Sequence, residues 1–210
     1  MNSRVILVSD DRSSLRSPDT LLWPDAACMR GIHTGEWTAH IFEYAMSFEG
    51  NMTQVRELAA ANGVGVLHPH GALATDPPGL IVCDVDSTVT RTEAIDLLAE
   101  CAGNADEVRE ITARAMVGEL DFTQSLYARV RCLEGLHIGA LEEAWKATVI
   151  TPGTAELVAA AHDVGAAVGL VSGGFTAVVD PLAEQIGADF AASNELEIVD
   201  NHLTGRVVGD

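Results

Sequence analysis

The run Leu80-Ile81-Val82-Cys83, followed at once by Asp84-Val85-Asp86-Ser87-Thr88, constrains this chain more than any other feature. Consecutive apolar residues of that kind suit a strand buried on both faces, and such strands belong to parallel sheets. A second run, Ala166 to Val171, passes just as abruptly into Ser172-Gly173-Gly174. Segments with helical spacing separate the two, so strands alternate with helices. That alternation implies an α/β fold, a Rossmann-like parallel sheet with right-handed crossovers. Ligands of such sheets bind beyond the carboxyl ends of the strands, where both polar loops lie.

Helix signals fill the interval. Thr90 with Glu93 predicts a capping box before a helix over 94–102, and Asn104 with Glu107 another before 108–117. Asp121 with Gln124 opens a third helix, carrying Leu126, Val130 and Leu133 at helical spacing. A fourth covers 138–147. Further helices are expected over 154–162 and 176–186, with a short strand over 189–192. Two strands, 195–199 and 203–208, read as a hairpin joined through Asp200-Asn201-His202.

Upstream of residue 76 the pattern is looser, with Pro18, Pro24, Gly31 and Gly35 scattered through it. A strand over 37–42, a helix over 53–61 stopped by Asn62-Gly63, and a strand over 64–67 make a β-α-β fragment of a small α+β appendage. Asp76-Pro77-Pro78-Gly79 reads as a stiff linker, because paired prolines exclude helix and central strand alike. The expected division is therefore 1–76 and 77–210.

Twelve basic residues against 31 acidic ones give a formal net charge of -19. Phosphate backbones and anionic lipid surfaces are held by Lys and Arg, so nucleic acid and membrane are not expected partners. The apolar run at the N-terminus is too short for a signal peptide, and residues 157–171, the most apolar stretch, are broken by His162 and Asp163. Cys28, Cys83, Cys101 and Cys132 form no C-x-x-C pair and read as small buried hydrophobes in a reducing compartment. The seven histidines show no metal-ligand spacing, His68-Pro69-His70 reads as loop, and Trp145 is expected to pack. A cytoplasmic chain follows from these features, with homodimerisation left open.

Asp84 and Asp86 flank Val85 at the exit of a buried strand, where alternate residues share a side. Carboxylates forced together need a cation or a shared proton. That arrangement suits a nucleophilic carboxylate beside a general acid/base, with Mg²⁺ balancing the charge. A bare D-x-D is also compatible with an acidic loop or a helix cap. Ser172-Gly173-Gly174 offers a hydroxyl and unhindered backbone N–H groups to an anion, and equally suits a glycine turn between strand and helix.

The string Asp84-Val85-Asp86-Ser87-Thr88-Val89-Thr90 resembles the first motif of the haloacid dehalogenase superfamily, and Ser172 at the end of its strand resembles the second. Glu93-Ala94-Ile95-Asp96, residues 115–122, Ser125-Leu126, Arg129-Val130, Ser172 to Thr176 and Asn194 to Glu197 narrow the resemblance to the phosphoserine phosphatase branch, from about Leu80 to Asp210. It implies a helical cap over about 92–148. It also implies Asp84 as nucleophile, Asp86 as acid/base, and Mg²⁺ held by the Asp84 carboxylate and the Asp86 main-chain carbonyl. Ser172 and Gly173 would hold phosphate. Glu93 would meet the amino group and Arg129 the carboxylate of O-phospho-L-serine, with Met116 and Phe122 lining the cap above it. Such a substrate is a zwitterion with a phosphate, so an anion for its ammonium and a guanidinium fork for its carboxylate are what selection requires. Read without the resemblance, Glu93 is equally a helix cap, and Arg129 a solvated residue beside Arg131.

In that branch a phosphate-steadying Lys and a G-D-x-x-x-D metal motif follow the hairpin. Here Gly209-Asp210 comes first, and Lys146, the sole lysine, falls on a cap helix. The expectation is a C-terminally truncated member with weak Mg²⁺ binding and slow or no turnover. A related small-molecule phosphatase or phosphotransferase, and a non-catalytic binding protein on the same fold, are the competing readings. Phosphoserine phosphatases often carry an ACT-like regulatory domain at the N-terminus, with which the β-α-β fragment is compatible.

Overall fold

The structure is a computed structural model and describes residues 3–9, 27–33, 38–44, 52–69, 71–74 and 76–209. Pro18, Pro24, Gly35, Trp37, His70 and Asp210, singled out above, lie outside the described residues. The chain divides into two compact units, Met1–Pro77 and Pro78–Asp210.

Among the described residues, the first unit holds a four-stranded antiparallel sheet, an α-helix and a 3₁₀ turn, Gly71–Ala74. Its strands are β1 (Ser3–Ser9), β2 (Ala27–His33), β3 (Thr38–Tyr44) and β4 (Gly65–Leu67), with α1 (Met52–Ala60) between the last two. The order is β2-β3-β1-β4. The expected strand, helix and strand form as β3, α1 and β4, and β1, which the sequence reading did not assign, lies between β3 and β4 and pairs with both. The short apolar run weighed as a leader is this central strand, burying Val5 and Leu7 against Ala59 and Val64. Asn62-Gly63 ends the helix as expected, Gly63 taking a φ of 69°.

The second unit is built on three parallel strands, β5 (Leu80–Cys83), β6 (Ala167–Phe175) and β7 (Phe190–Asn194), in the order β5-β6-β7. Register runs Leu80 to Ala167 through Cys83 to Leu170, then Gly169 to Phe190. Gly169 is required there, since a Cβ would lie 1.9 Å from the Phe190 ring. Strand β6 does not stop at Val171 as the sequence predicts. It continues through Ser172-Gly173-Gly174 to Phe175, with its register against β7 shifting between Val171 and Phe175. One sheet face carries Leu80, Val82, Val171 and Phe190, all exposed.

Four helices, α2 (Ala94–Ala102), α3 (Ala105–Met116), α4 (Phe122–Arg131) and α5 (Gly139–Ala147), lie between β5 and β6 in sequence. Helix α6 (Thr154–Asp163) leads into β6, and α7 (Thr176–Ile186) leads out of it. The hairpin β8 (Leu196–Val199) and β9 (His202–Val207) is antiparallel, with Asp200 and Asn201 at positive φ.

Two apolar clusters organise the unit. Val85, Val158, Val168, Leu170, Val179 and Leu182 fill the space between the sheet and helices α6 and α7. Leu98, Val108, Leu126, Val130 and Leu133 join the four inserted helices to Leu203 and Val207 of the hairpin. Trp145 packs against both clusters, as a packing residue should. The hairpin is also tied to the inserted helices by main chain, Gly135 N–H donating to Leu203 and Leu203 N–H to Leu136.

Of the expected capping boxes only Asp121 with Gln124 forms, both of its hydrogen bonds being present. Thr90 instead donates to the carbonyls of Val85 and Thr92, and Glu93 is itself the N-cap of α2. Asn104 spends its amide on the Cys132 carbonyl. Cys132 is buried as expected, but Cys83 is only half-buried and Cys101 is exposed. Among the described residues no helix is long and apolar enough to cross a membrane.

Candidate active site

The site begins where β5 ends. Asp84 keeps extended backbone at φ -69° and ψ 157°, so its side chain leaves the sheet at the strand's carboxyl end. The next residues form an irregular turn, Val85–Val89, anchored by Val85 at 1% exposure. Ser87 takes φ 57°, an uncommon conformation for serine, and its hydroxyl donates to Glu93 Oε1 at 3.1 Å. The Thr90 N–H closes the turn on the Val85 carbonyl. A four-residue strand thus delivers two carboxylates to one place, and the turn carries the chain on into α2.

The two carboxylates are held differently. Among the described residues, Asp84 Oδ2 accepts from the Thr88 hydroxyl, at 3.3 Å. Both Asp86 oxygens are engaged at 2.9 Å, Oδ1 by the N–H of Ala94 and Oδ2 by the hydroxyl of Ser172. Asp86 therefore supplies the cap on α2 that Thr90 was expected to give, eight residues upstream of the N–H it satisfies. A carboxylate at a helix N-terminus also gains from the helix dipole. Neither aspartate makes an ion pair with a described residue.

Glycines shape the opposing strand. A Cβ on Gly174 would come within 2.7 Å of Asp86 Oδ2, and one on Gly173 within 2.9 Å of the Phe122 ring. The Gly174 N–H donates to Ser172 Oγ at 2.7 Å, which leaves the hydroxyl proton for Asp86. A larger residue at either glycine would push the inserted helices or the carboxylate away.

These elements enclose an open cleft of about 190 Å³. Asp84, Asp86 and Gly173 line it from the strand ends, with Glu93, Ile95, Phe122, Leu126 and Arg129 from the inserted helices and Phe175 at the end of β6. Six of the eight residues singled out from sequence meet there: Asp84, Asp86, Glu93, Phe122, Arg129 and Gly173. Ser172 is 9% exposed and does not line the cleft; it touches Asp86 instead. Met116, at the end of α3, is 83% exposed and does not line the cleft either. Ile95, Leu126 and Phe175 were missed as cleft residues, because apolar positions at helical or strand spacing carry no mark of which wall they face. Asn194, which donates to the Gly173 carbonyl at 2.9 Å, was quoted only as part of a motif. A separation of 21 positions along the chain hides that contact from a sequence reading.

Three carboxylates and one guanidinium line this space, an arrangement that attracts a cation and orients a zwitterion. Among the described residues no cluster of three or more His, Cys, Asp or Glu side chains is placed to hold a metal ion. At the strand ends, Asp84 and Asp86 supply the carboxylate oxygens that line the cleft.

Residues 81–210 match the model of the haloacid dehalogenase-like hydrolases. The chain is 49% identical over 152 residues to a phosphoserine phosphatase of Streptomyces coelicolor, covering 72% of this chain and 37% of that protein. It is 50% identical over 132 residues to a phosphoserine phosphatase of Streptococcus thermophilus, covering 63% and 61% respectively. It thus spans less than two thirds of either relative. A solved phospho-aspartyl intermediate analogue of phosphoserine phosphatase superposes with a TM-score of 0.59 at 41% identity, over 63% of each chain. With the parallel sheet, the inserted helices and the aspartate pair at the end of β5, this match establishes that the chain belongs to the haloacid dehalogenase-like hydrolases.

Proposed function

We propose that this chain carries the nucleophile-bearing part of a phosphoserine phosphatase, which hydrolyses O-phospho-L-serine to L-serine and phosphate in the last step of serine biosynthesis. One observation carries the reading. The cleft sets Asp84 and Asp86 at the strand ends against Glu93 and Arg129 on the inserted helices. A phosphate ester of an amino acid needs a reactive group at one end and a carboxylate and a guanidinium at the other.

In this reading Asp84, whose carboxylate accepts one long hydrogen bond among the described residues, attacks phosphorus and forms an aspartyl-phosphate. Asp86 gives its proton to the departing serine oxygen, then takes one from the water that hydrolyses the acyl phosphate. The Ser172 hydroxyl, which donates to Asp86, turns between that carboxylate and the phosphate. Glu93 meets the ammonium, Arg129 the carboxylate, and Phe122 closes over the substrate.

The donor set fits Mg²⁺, a hard cation that takes oxygen ligands. By the family resemblance, the Asp84 carboxylate and the main-chain carbonyl of Asp86 would hold it. When bound it would neutralise charge on the aspartates and the phosphate. Lys146 is paired with Glu142 on α5 and does not line the cleft. The first unit, with its antiparallel sheet and the helix α1, is proposed as the regulatory ACT-like appendage.

The test measures binding and turnover together. Calorimetry with O-phospho-L-serine should show binding to the chain and to Asp84→Asn, and little to Arg129→Ala. Phosphate release should be slow in the chain and absent in Asp84→Asn. Release that survives Asp84→Asn, or no affinity for phosphoserine, would overturn the reading.

A further inference from the structure

We propose that Asn194 is a positioning residue that sets the Ser172 hydroxyl, and through it Asp86, by clamping one peptide group. The proposal rests on the role given to Asp86 above.

Asn194 ends β7, opposite Phe175 of β6. Its side-chain amide donates to the carbonyl of Gly173 at 2.9 Å and reaches that of Gly174 at 3.4 Å. Two carbonyl neighbours require the nitrogen of the Asn194 amide to face them, so this end of the side chain is fixed by chemistry. The Gly173 carbonyl and the Gly174 N–H belong to one planar trans peptide and point in opposite directions. Holding the carbonyl therefore aims the N–H. That N–H donates to Ser172 Oγ at 2.7 Å, occupying an acceptor site on the hydroxyl. The hydroxyl proton then goes to Asp86 Oδ2 at 2.9 Å.

The sequence of contacts is Asn194 amide, Gly173–Gly174 peptide, Ser172 hydroxyl, Asp86 carboxylate. Each member has its partner, and the two glycines give the peptide no side chain to brace it. Glycine pairs sample more backbone conformations than any others, so an external clamp is what keeps this one in place. The register shift between β6 and β7 adds to the need, because regular ladder bonding is interrupted between Val171 and Phe175. Asn194 replaces the missing ladder bonds with side-chain ones. Ser193, its neighbour, has a buried hydroxyl with no hydrogen-bond partner and takes no part.

Amide hydrogen exchange in the 210-residue chain tests this without requiring turnover. Asn194→Leu and Asn194→Asp remove the donor while nearly keeping the shape, and Ser193→Ala serves as the neighbour control. Gly174 N–H should exchange about tenfold faster or more in both Asn194 variants, with Leu170 in the same strand unchanged, the effect expected for one lost hydrogen bond. Ser172→Ala should speed Gly174 likewise, and Ser193→Ala should not. Unchanged Gly174 exchange in the Asn194 variants would overturn the proposal, as would equal acceleration at Leu170, which would mean that the whole strand had opened. Where turnover is measurable, kcat should fall about tenfold or more in Asn194→Leu while KM for phosphoserine moves less than about threefold, because Asn194 touches backbone and not substrate. A rise in KM with kcat intact would count against the relay. Lack of turnover in the unsubstituted chain would bear on the proposed function alone, and the exchange rates would still decide the relay.

Discussion

The two walls of the cleft are built on different terms. At the strand ends, Asp86 accepts two hydrogen bonds, Ser172 both donates and accepts, and Asn194 holds the Gly173–Gly174 peptide from the far side. On the inserted helices, Arg129 is tied among the described residues through its Nε to the Ser125 carbonyl at 3.3 Å, and Phe122 is 64% exposed. Around Asp86 the first wall is cross-linked by hydrogen bonds, whereas Arg129 and Phe122 on the second are left freer to close on a ligand. Groups that must meet a reacting phosphorus gain from preorganisation, whereas groups that recognise a substrate tolerate ordering on binding. The difference agrees with the proposed roles, in which the strand ends are the reactive side and the helices the selecting side.

Substitutions on the two walls should therefore separate in kind as well as in size. Asp84→Asn should have the largest effect, lowering phosphate release by roughly 10⁴-fold or more while affinity for phosphoserine stays within a few-fold, as expected for a lost nucleophile. Gly174→Ala should follow, with kcat down about 10²-fold. Its Cβ would have to displace Asp86 Oδ2 from 2.7 Å, and a displaced charged group costs that order of rate. Arg129→Ala should lower kcat/KM for phosphoserine by about 10- to 100-fold, the worth of a charged hydrogen-bond pair, and largely spare an aryl phosphate. Met116→Ala should change either constant by less than about threefold, since the residue is 83% exposed and outside the cleft. A large effect at Met116 would mean that the helices close much further than their present contacts indicate.

The smallest expected effect lies under the sheet. The N–H of Val168 beside Asp189, and after it the His162 ring, holds the Asp189 carboxyl below its usual range. A depressed carboxyl contributes stability that is fully present above its unfolded pKa and is lost as pH falls through the folded one. Lowering the pH from about 6 to about 3 should therefore reduce the thermal midpoint slightly less in Asp189→Asn than in the parent. An equal drop in both would remove Asp189 from the acid response. The pair is exposed at its surface, so the difference is expected to be small.

What was legible in the sequence is what is contiguous in it. The β5 run with its aspartates and the β6 run with its glycines each carry their meaning within a few residues, and the α/β fold follows from their alternation with helices. Asp121 and Gln124, three positions apart, form the capping box they predict. Thr90 and Asn104 have the same spacing to a glutamate and do not, because Thr90 finds carbonyls at Val85 and Thr92, and Asn104 one at Cys132. Tertiary partners outbid local ones wherever the fold brings a better acceptor near. The run that became β1 was hidden by brevity, its partners lying more than thirty and nearly sixty residues away in β3 and β4. Asp86 capping α2 and Asn194 clamping Gly173 were hidden for the same reason. Met116 was placed by resemblance alone, and its position at the exposed end of α3 does not bring it to the cleft.

The most direct test of the account is a search for the phosphoryl group on Asp84. The chain is mixed with O-phospho-L-serine and Mg²⁺, quenched in acid and read by peptide mass spectrometry. The account predicts a phosphoryl adduct on the peptide bearing Asp84, at that residue, and none in Asp84→Asn. A phosphoryl group found on another residue, or phosphate released with no adduct at Asp84 at any quench time, would contradict it.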